Sequence, residues 1–229
     1  MASNLLGTMP VLEPIIAAAH QAGARVYVDA VAAAPHHPID ITALDCDVLV
    51  TSPYKWYGPH AGVLWCRPEI MDELEIWKVR PAADSGPRKF ETGMPNFEAI
   101  AGVEAAARFL LEEGMDNLAR FESEVFDRLW NGLGHICGVT RIGPTDGQLR
   151  APTAAFTIEG VHPAHASQSL ATDRIALWDG HAYAVEVVDH LGLLDSGGVI
   201  RAGVVRYITT DDVDRLLLGV EQLASRPPN

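Results

Sequence analysis

Between Pro10 and Ala22 the apolar residues Val11, Ile15, Ile16 and Ala19 recur at helical spacing, Pro10 stands where a first turn tolerates proline, and Gly23 follows. This predicts a short helix feeding a strand at Arg25 to Asp29. Dense apolar runs at Asp47 to Thr51 and Gly62 to Cys66 predict two more strands, separated by connections bearing Pro and His. Such runs suit strands buried on both faces, so the expectation is a largely parallel sheet with reactive groups at its carboxyl ends. From Glu69 to Pro95 the pattern loosens into charged, Pro- and Gly-bearing sequence that reads as a long functional loop. Helical periodicity returns from about Glu98 to Leu111 and from Asp116 to about Leu133.

After Gly134 the units shorten. Strands are expected near Gly138 to Ile142 and at Thr153 to Ile158, with a helix at Pro163 to Thr172 and a strand at Arg174 to Trp178. In the last helix Thr209 and Asp212 fit a capping box, and Val213, Leu216, Leu217, Val220 and Leu223 form one apolar face. The polar tail from Ser225 to Asn229 is expected to fray. The change from α/β to α+β order places a domain change near residue 97, giving domains of 1–97 and 98–229.

Composition narrows the class. The 229 residues are 48% hydrophobic and 21% charged, which excludes disordered, collagenous and coiled-coil chains. A formal net charge of −13, with no Lys/Arg run, leaves no footprint for nucleic acid or an anionic membrane. No apolar stretch reaches the roughly 20 residues that span a bilayer, and the amino terminus has no signal-peptide pattern. Three scattered cysteines, Cys46, Cys66 and Cys137, form no C-x-x-C pair and make a reducing cytoplasm the default. His36, His37 and His60 lack metal-ligand spacing, so no metal is expected.

Asp29 ends one predicted strand, and Lys55 follows the next in Thr-Ser-Pro-Tyr-Lys-Trp-Tyr-Gly-Pro-His. An amine and a carboxylate at neighbouring strand ends can face one crevice. Pyridoxal phosphate chemistry needs that pair: a lysine to hold the cofactor covalently and an acid to keep its ring nitrogen protonated. Spacing alone favours the plainer reading, a solvated loop lysine and a strand-end aspartate.

The surrounding words favour the chemistry. Val-Asp-Ala, Ala-Pro-His-His-Pro-Ile-Asp-Ile-Thr-Ala-Leu-Asp-Cys-Asp and Ser-Pro-Tyr-Lys-Trp-Tyr-Gly-Pro closely resemble the cofactor-lysine segment of class V aminotransferases, the cysteine desulfurase group in particular. Three further blocks agree in order: Ser3-Asn4-Leu5-Leu6-Gly7-Thr8, Phe90-Glu91-Thr92-Gly93-Met94-Pro95-Asn96, and Ile200-Arg201-Ala202-Gly203 with Tyr207-Ile208-Thr209. The resemblance covers essentially the whole chain. It implies the aspartate aminotransferase-like fold (fold type I, α/β), represented by the later part of the large-domain sheet plus a carboxyl-terminal α+β small domain. It also implies pyridoxal 5'-phosphate as cofactor, an amino acid substrate and a homodimer, with the Phe90 to Asn96 loop reaching across. By the same resemblance Lys55 holds the cofactor and moves the proton, Asp29 pairs with the ring nitrogen and Ser52 binds the phosphate. Asn4 lies near the phenolic oxygen and the substrate carboxylate, which Arg201 clamps with its planar fork.

The departures bear on the reaction. Desulfurases carry a sulfur-accepting cysteine in a Gly-His-His-Cys-like word; here the stretch is Trp178-Asp179-Gly180-His181-Ala182-Tyr183-Ala184, with Tyr183 at that position. A phenol with a reference pKa of about 10 does not accept a sulfane sulfur as a thiolate does. Ala32, Tyr54 and Met94 replace the family's usual Gln or His, His, and Thr. Family segments that stack on the cofactor and bind its phosphate precede the Ser-Asn-x-x-Gly-Thr turn where this chain begins, so the chain is expected to be the later portion of a longer enzyme. The reading is an enzyme acting by Cα deprotonation without a sulfur acceptor. Transamination, C–S β-elimination and racemisation all remain open, as does a truncated non-catalytic form that holds cofactor weakly or not at all.

Overall fold

The computed structural model describes residues 1–91, 93–144 and 147–225, and within them the chain forms two compact units. Unit 1 comprises Met1 and residues 10–115, and unit 2 comprises residues 2–9 and 116 onward. The division by compactness falls between Met115 and Asp116, whereas the sequence pattern puts the expected domain change near residue 97. Thr92 and the tail beyond Ser225 lie outside the described residues.

In unit 1 helix α1 runs over Glu13–Gln21 and buries Ile16. It starts three residues later than its periodicity suggests, because Pro14 and not Pro10 occupies the first turn. Strands β1 (Tyr27–Asp29), β2 (Val48–Thr51) and β3 (Val63–Cys66) form a sheet in that order. β1 and β2 are parallel, with Asp29 opposite Val50, but β3 runs antiparallel to β2. The expectation of a largely parallel sheet buried on both faces is therefore corrected. The β2–β3 connection holds only a 3-10 turn and no crossover helix, so the chain returns antiparallel. Tyr27 and Asp29 are exposed on either side of buried Val28.

Ile16, Val28, Ala30, Leu44, Cys46 and Leu49 make the core of this unit. Leu44 comes from α2 (Ile41–Leu44), a single turn capped by Asp40, whose carboxylate accepts from the Thr42 and Ala43 N–H groups. Just before β2 Asp47 is buried and accepts from the Val26 N–H (2.6 Å) and from His20 (2.9 Å), with the Arg67 guanidinium 3.4 Å away.

The expected loop from Glu69 to Pro95 holds more structure than its sequence suggests. It contains α3 (Pro68–Glu73) and a 3-10 turn at Pro87–Lys89. Lys89 is buried, and its ammonium donates to the carbonyls of Met71 (3.0 Å) and Asp72 (3.1 Å), tying the second half of the segment to α3. Helix α4 (Phe97–Glu113) follows, capped by the Asn96 side chain on the Ala99 N–H.

Unit 2 is an antiparallel sheet of order β4-β5-β7-β6, from Val139–Ile142, Thr153–Ile158, Val199–Gly203 and Trp178–Gly180. Alternation along the central strands sorts two cores. Ala154, Phe156, Ile158, Ile200 and Ala202 pack with α5 (Met115–His135), α6 (Pro163–Thr172) and α8 (Thr210–Ala224). Ala155 and Val199, on the other face, pack with Leu5, Ala182 and Val188, the last from α7 (Val185–His190). The α8 capping box is present as expected, with Thr209 and Asp212 bonded reciprocally. Strand β6 begins at Trp178, not Arg174: Arg174 has φ +59° in the turn that closes α6, and the ladder starts only beyond it.

Candidate active site

In unit 1 the expected residues gather where the two parallel strands end. Asp29 is the last residue of β1; Ser52 and Lys55 follow β2 directly, so their backbones leave adjacent carboxyl ends of the sheet. The turn carrying Lys55 is a 3-10 turn, Pro53–Lys55, set by proline φ and by N–H bonds from Lys55 to Ser52 O, from Trp56 to Pro53 O and from Gly58 to Pro53 O. Trp56 bolts it down: its ring is buried and its indole N–H donates to Thr51 Oγ1 at 3.1 Å. The half-buried Lys55 extends with its Nζ 6.0 Å from the Tyr54 ring centre, and Tyr54 stacks on His60. Asp29 accepts from the Val31 N–H through Oδ1 at 2.9 Å and is otherwise exposed.

The remaining expected residues belong to unit 2. Asn4 sits in a turn closed by Ser3 N–H to Thr8 O and Gly7 N–H to Ser3 O, with Ser3 Oγ accepting from Leu5 and Leu6. Gly7 is required here: φ is +72°, and a Cβ would lie 2.6 Å from the Ala151 carbonyl oxygen. Arg150 holds the turn by donating to Leu6 O (3.1 Å) and Thr153 O (2.8 Å) while its guanidinium lies over Trp130 and Phe126. The Asn4 side-chain amide donates to the Ala182 carbonyl at 2.8 Å.

Arg201 stands mid-strand in β7, on the face of Val199, opposite Ala155 on one side and Trp178 on the other. It is half-buried, and no carboxylate pairs with it among the described residues. Burial lowers its pKa. A partly desolvated guanidinium without a counter-ion suits an incoming anion, and its five-donor fork matches a carboxylate.

Close by in the same unit, the stretch from Gly180 to Tyr183 forms a tight turn with φ of +96° at Gly180, +46° at Ala182 and +65° at Tyr183. The left-handed region costs a residue with a side chain about 1–2 kcal/mol. Tyr183 is 88% exposed, and its N–H donates to His181 Nδ1 at 3.1 Å. The thiols lie elsewhere. Cys46 and Cys66 are buried, and burial pushes both pKa values up, away from thiolate character; Cys137 is exposed beside β4. No group of His, Cys, Asp and Glu among the described residues could hold a metal ion.

The opposition of Trp178 and Arg201 and the bond from Asn4 to Ala182 were not readable in the sequence. Strand register and contacts across 178 residues leave no local pattern, and only the Trp-Asp-Gly word marked the region.

The model for class V aminotransferases matches residues 1–216. A probable cysteine desulfurase of Synechocystis is 33% identical over 232 residues, covering 96% of this chain and 54% of its own length. A cysteine desulfurase of Escherichia coli K12 is 32% identical over 234 residues, covering 96% and 56%. Among solved structures, the cysteine desulfurase CsdA of Escherichia coli superposes with a TM-score of 0.89 at 29% identity, over 96% of this chain and 57% of that one. The apo cysteine desulfurase of Thermococcus onnurineus gives 0.88 at 28%, over 97% and 58%. The chain thus spans little more than half the length of these relatives, and it has their mixed α/β fold. Class V aminotransferases and cysteine desulfurases depend on pyridoxal phosphate. Matched over nearly its whole length, this chain belongs to the class V aminotransferase family.

Proposed function

We propose that this chain takes part in pyridoxal phosphate-dependent removal of the Cα proton of an amino acid, without passing sulfur to a cysteine of its own. The observation that carries the reading is the placement of Asp29 and Lys55 at the carboxyl ends of two adjacent parallel strands. Pyridoxal phosphate, when bound, supplies an electron sink for the charge left at Cα. Lys55 holds it through Nζ and then carries the proton to and from Cα. The Asp29 carboxylate keeps the ring nitrogen protonated, Ser52 donates its hydroxyl to the phosphate, and the second hydrogen on Asn4 Nδ2 remains for the phenolic oxygen or substrate carboxylate. Arg201 grips that carboxylate as a bidentate donor. Unpaired thiols fit a reducing, cytoplasmic setting, and the family resemblance supports a homodimer.

Tyr183 narrows the reaction. It stands at the exposed tip of the turn that resembles the desulfurase cysteine segment, and neither buried thiol is activated. C–S β-elimination needs no sulfur acceptor and is the reading for cysteine-like substrates; transamination and racemisation use the same residues. The alternative reading is a chain that binds cofactor weakly or not at all. Titration with pyridoxal phosphate separates them. An absorbance change that Lys55→Ala abolishes supports the first reading, and an unchanged spectrum on titrating the wild type supports the second. With cysteine as substrate, elimination consumes water and releases pyruvate, ammonia and sulfide, whereas a persulfide on the chain would overturn the role given to Tyr183.

A further inference from the structure

The Gly180–Tyr183 turn has two left-handed residues with side chains, Ala182 and Tyr183, yet it is pinned from several directions within unit 2. The Ala182 methyl is buried in the cluster of Leu5, Ala155, Val188 and Val199. Gly198 passes so close beneath that a Cβ there would meet the Gly180 carbonyl at 2.4 Å. Ala184 N–H donates to the His181 carbonyl at 2.8 Å. The contact that reaches the crest of the turn is the Asn4 side chain, donating to the Ala182 carbonyl between the two strained residues. That carbonyl's direction fixes the peptide plane joining Ala182 to Tyr183, and with it the Tyr183 N–H that donates to His181 Nδ1.

We propose that Asn4 is a positioning residue that latches the Gly180–Tyr183 turn, making it a fixed platform that presents His181 and Tyr183 in one place. The Ser3–Thr8 turn serves as the post of this latch, itself seated by Gly7 on Ala151 and by Arg150 on Leu6. A hydrogen bond offsets the backbone strain only while its donor is present. The latch lies wholly in unit 2 and does not depend on the cofactor reading.

The test is backbone ¹⁵N relaxation on the ligand-free full chain, comparing wild type with Asn4→Asp and Asn4→Ala. Asn4→Asp keeps the size of the side chain and its acceptors but removes the donor. In wild type, Ala182 and Tyr183 should be as rigid as strand β5, with order parameters near about 0.85. In both variants they should fall clearly below the wild-type values while β5 stays unchanged. Rigid Ala182 and Tyr183 amides in a folded Asn4→Asp protein would overturn the latch, as would mobile ones in wild type. If neither variant folds, the wild type decides: magnetisation transfer from the Asn4 side-chain amide to Ala182 protons is expected, and its absence overturns the proposal.

Discussion

Asp47 shows how much one buried carboxylate organises. Burial raises its pKa, but the Val26 N–H and His20 outweigh that effect, with Arg67 assisting, so the net shift is downward. A carboxyl with a folded pKa below its unfolded value stabilises the protein above the ordinary carboxylate range, and that contribution is lost as pH falls through the folded value. Acid denaturation monitored by circular dichroism should therefore steepen below about pH 4. Asp47→Asn should flatten that limb at a cost of about 1–3 kcal/mol at neutral pH. At Arg201, Arg201→Lys keeps the charge but loses the fork; binding of an amino acid to the cofactor-loaded protein should weaken more than tenfold, measured by titration. The candidate site residues could be proposed from the sequence because each stands in a local word, Asp29 in Val-Asp-Ala and Lys55 in Ser-Pro-Tyr-Lys. Asp47 was not, since its partners lie 27 and 21 residues upstream and share no pattern with it.

Among the elements, the periodic ones were readable. β5, α6 and α8 lie at their expected bounds, α8 opening at the Thr209/Asp212 box, and each buries side chains in the core that holds Phe156, Leu170 and Val213. α2 and α7, of four and six residues, are too short to show a period, and their folding relies on contacts such as Leu44 and Val188 with distant strands. β3 misled for a different reason. Val-Leu-Trp-Cys reads as a buried run, yet strand direction depends on the connection and not on the run itself. Two stability changes follow at this scale. Phe156→Ala, in a fully buried site of β5, should cost about 3–5 kcal/mol in denaturant unfolding. Asn96→Ala, which removes the α4 cap, should cost only about 1 kcal/mol.

For the whole molecule, the class V aminotransferase match points to a pyridoxal phosphate family that neither the net charge of −13 nor the ordinary composition indicates. The class was legible because several motifs fall in order along the chain; that Asn4 belongs to unit 2 was not, because residues 2–9 join that unit from the far end of the sequence. If the family's homodimer holds for this chain, sedimentation should report twice its 24.7 kDa mass, and a species at the single-chain mass would count against it. Chemical trapping tests the cofactor-holding role of Lys55 most directly. The chain is incubated with pyridoxal phosphate, reduced with borohydride and mapped by peptide mass spectrometry. The cofactor is expected on the peptide containing Lys55 and on no other, with Lys55→Ala unlabelled. Label on another lysine, or none on the wild-type chain, would contradict the assignment of Lys55 as the residue that holds the cofactor.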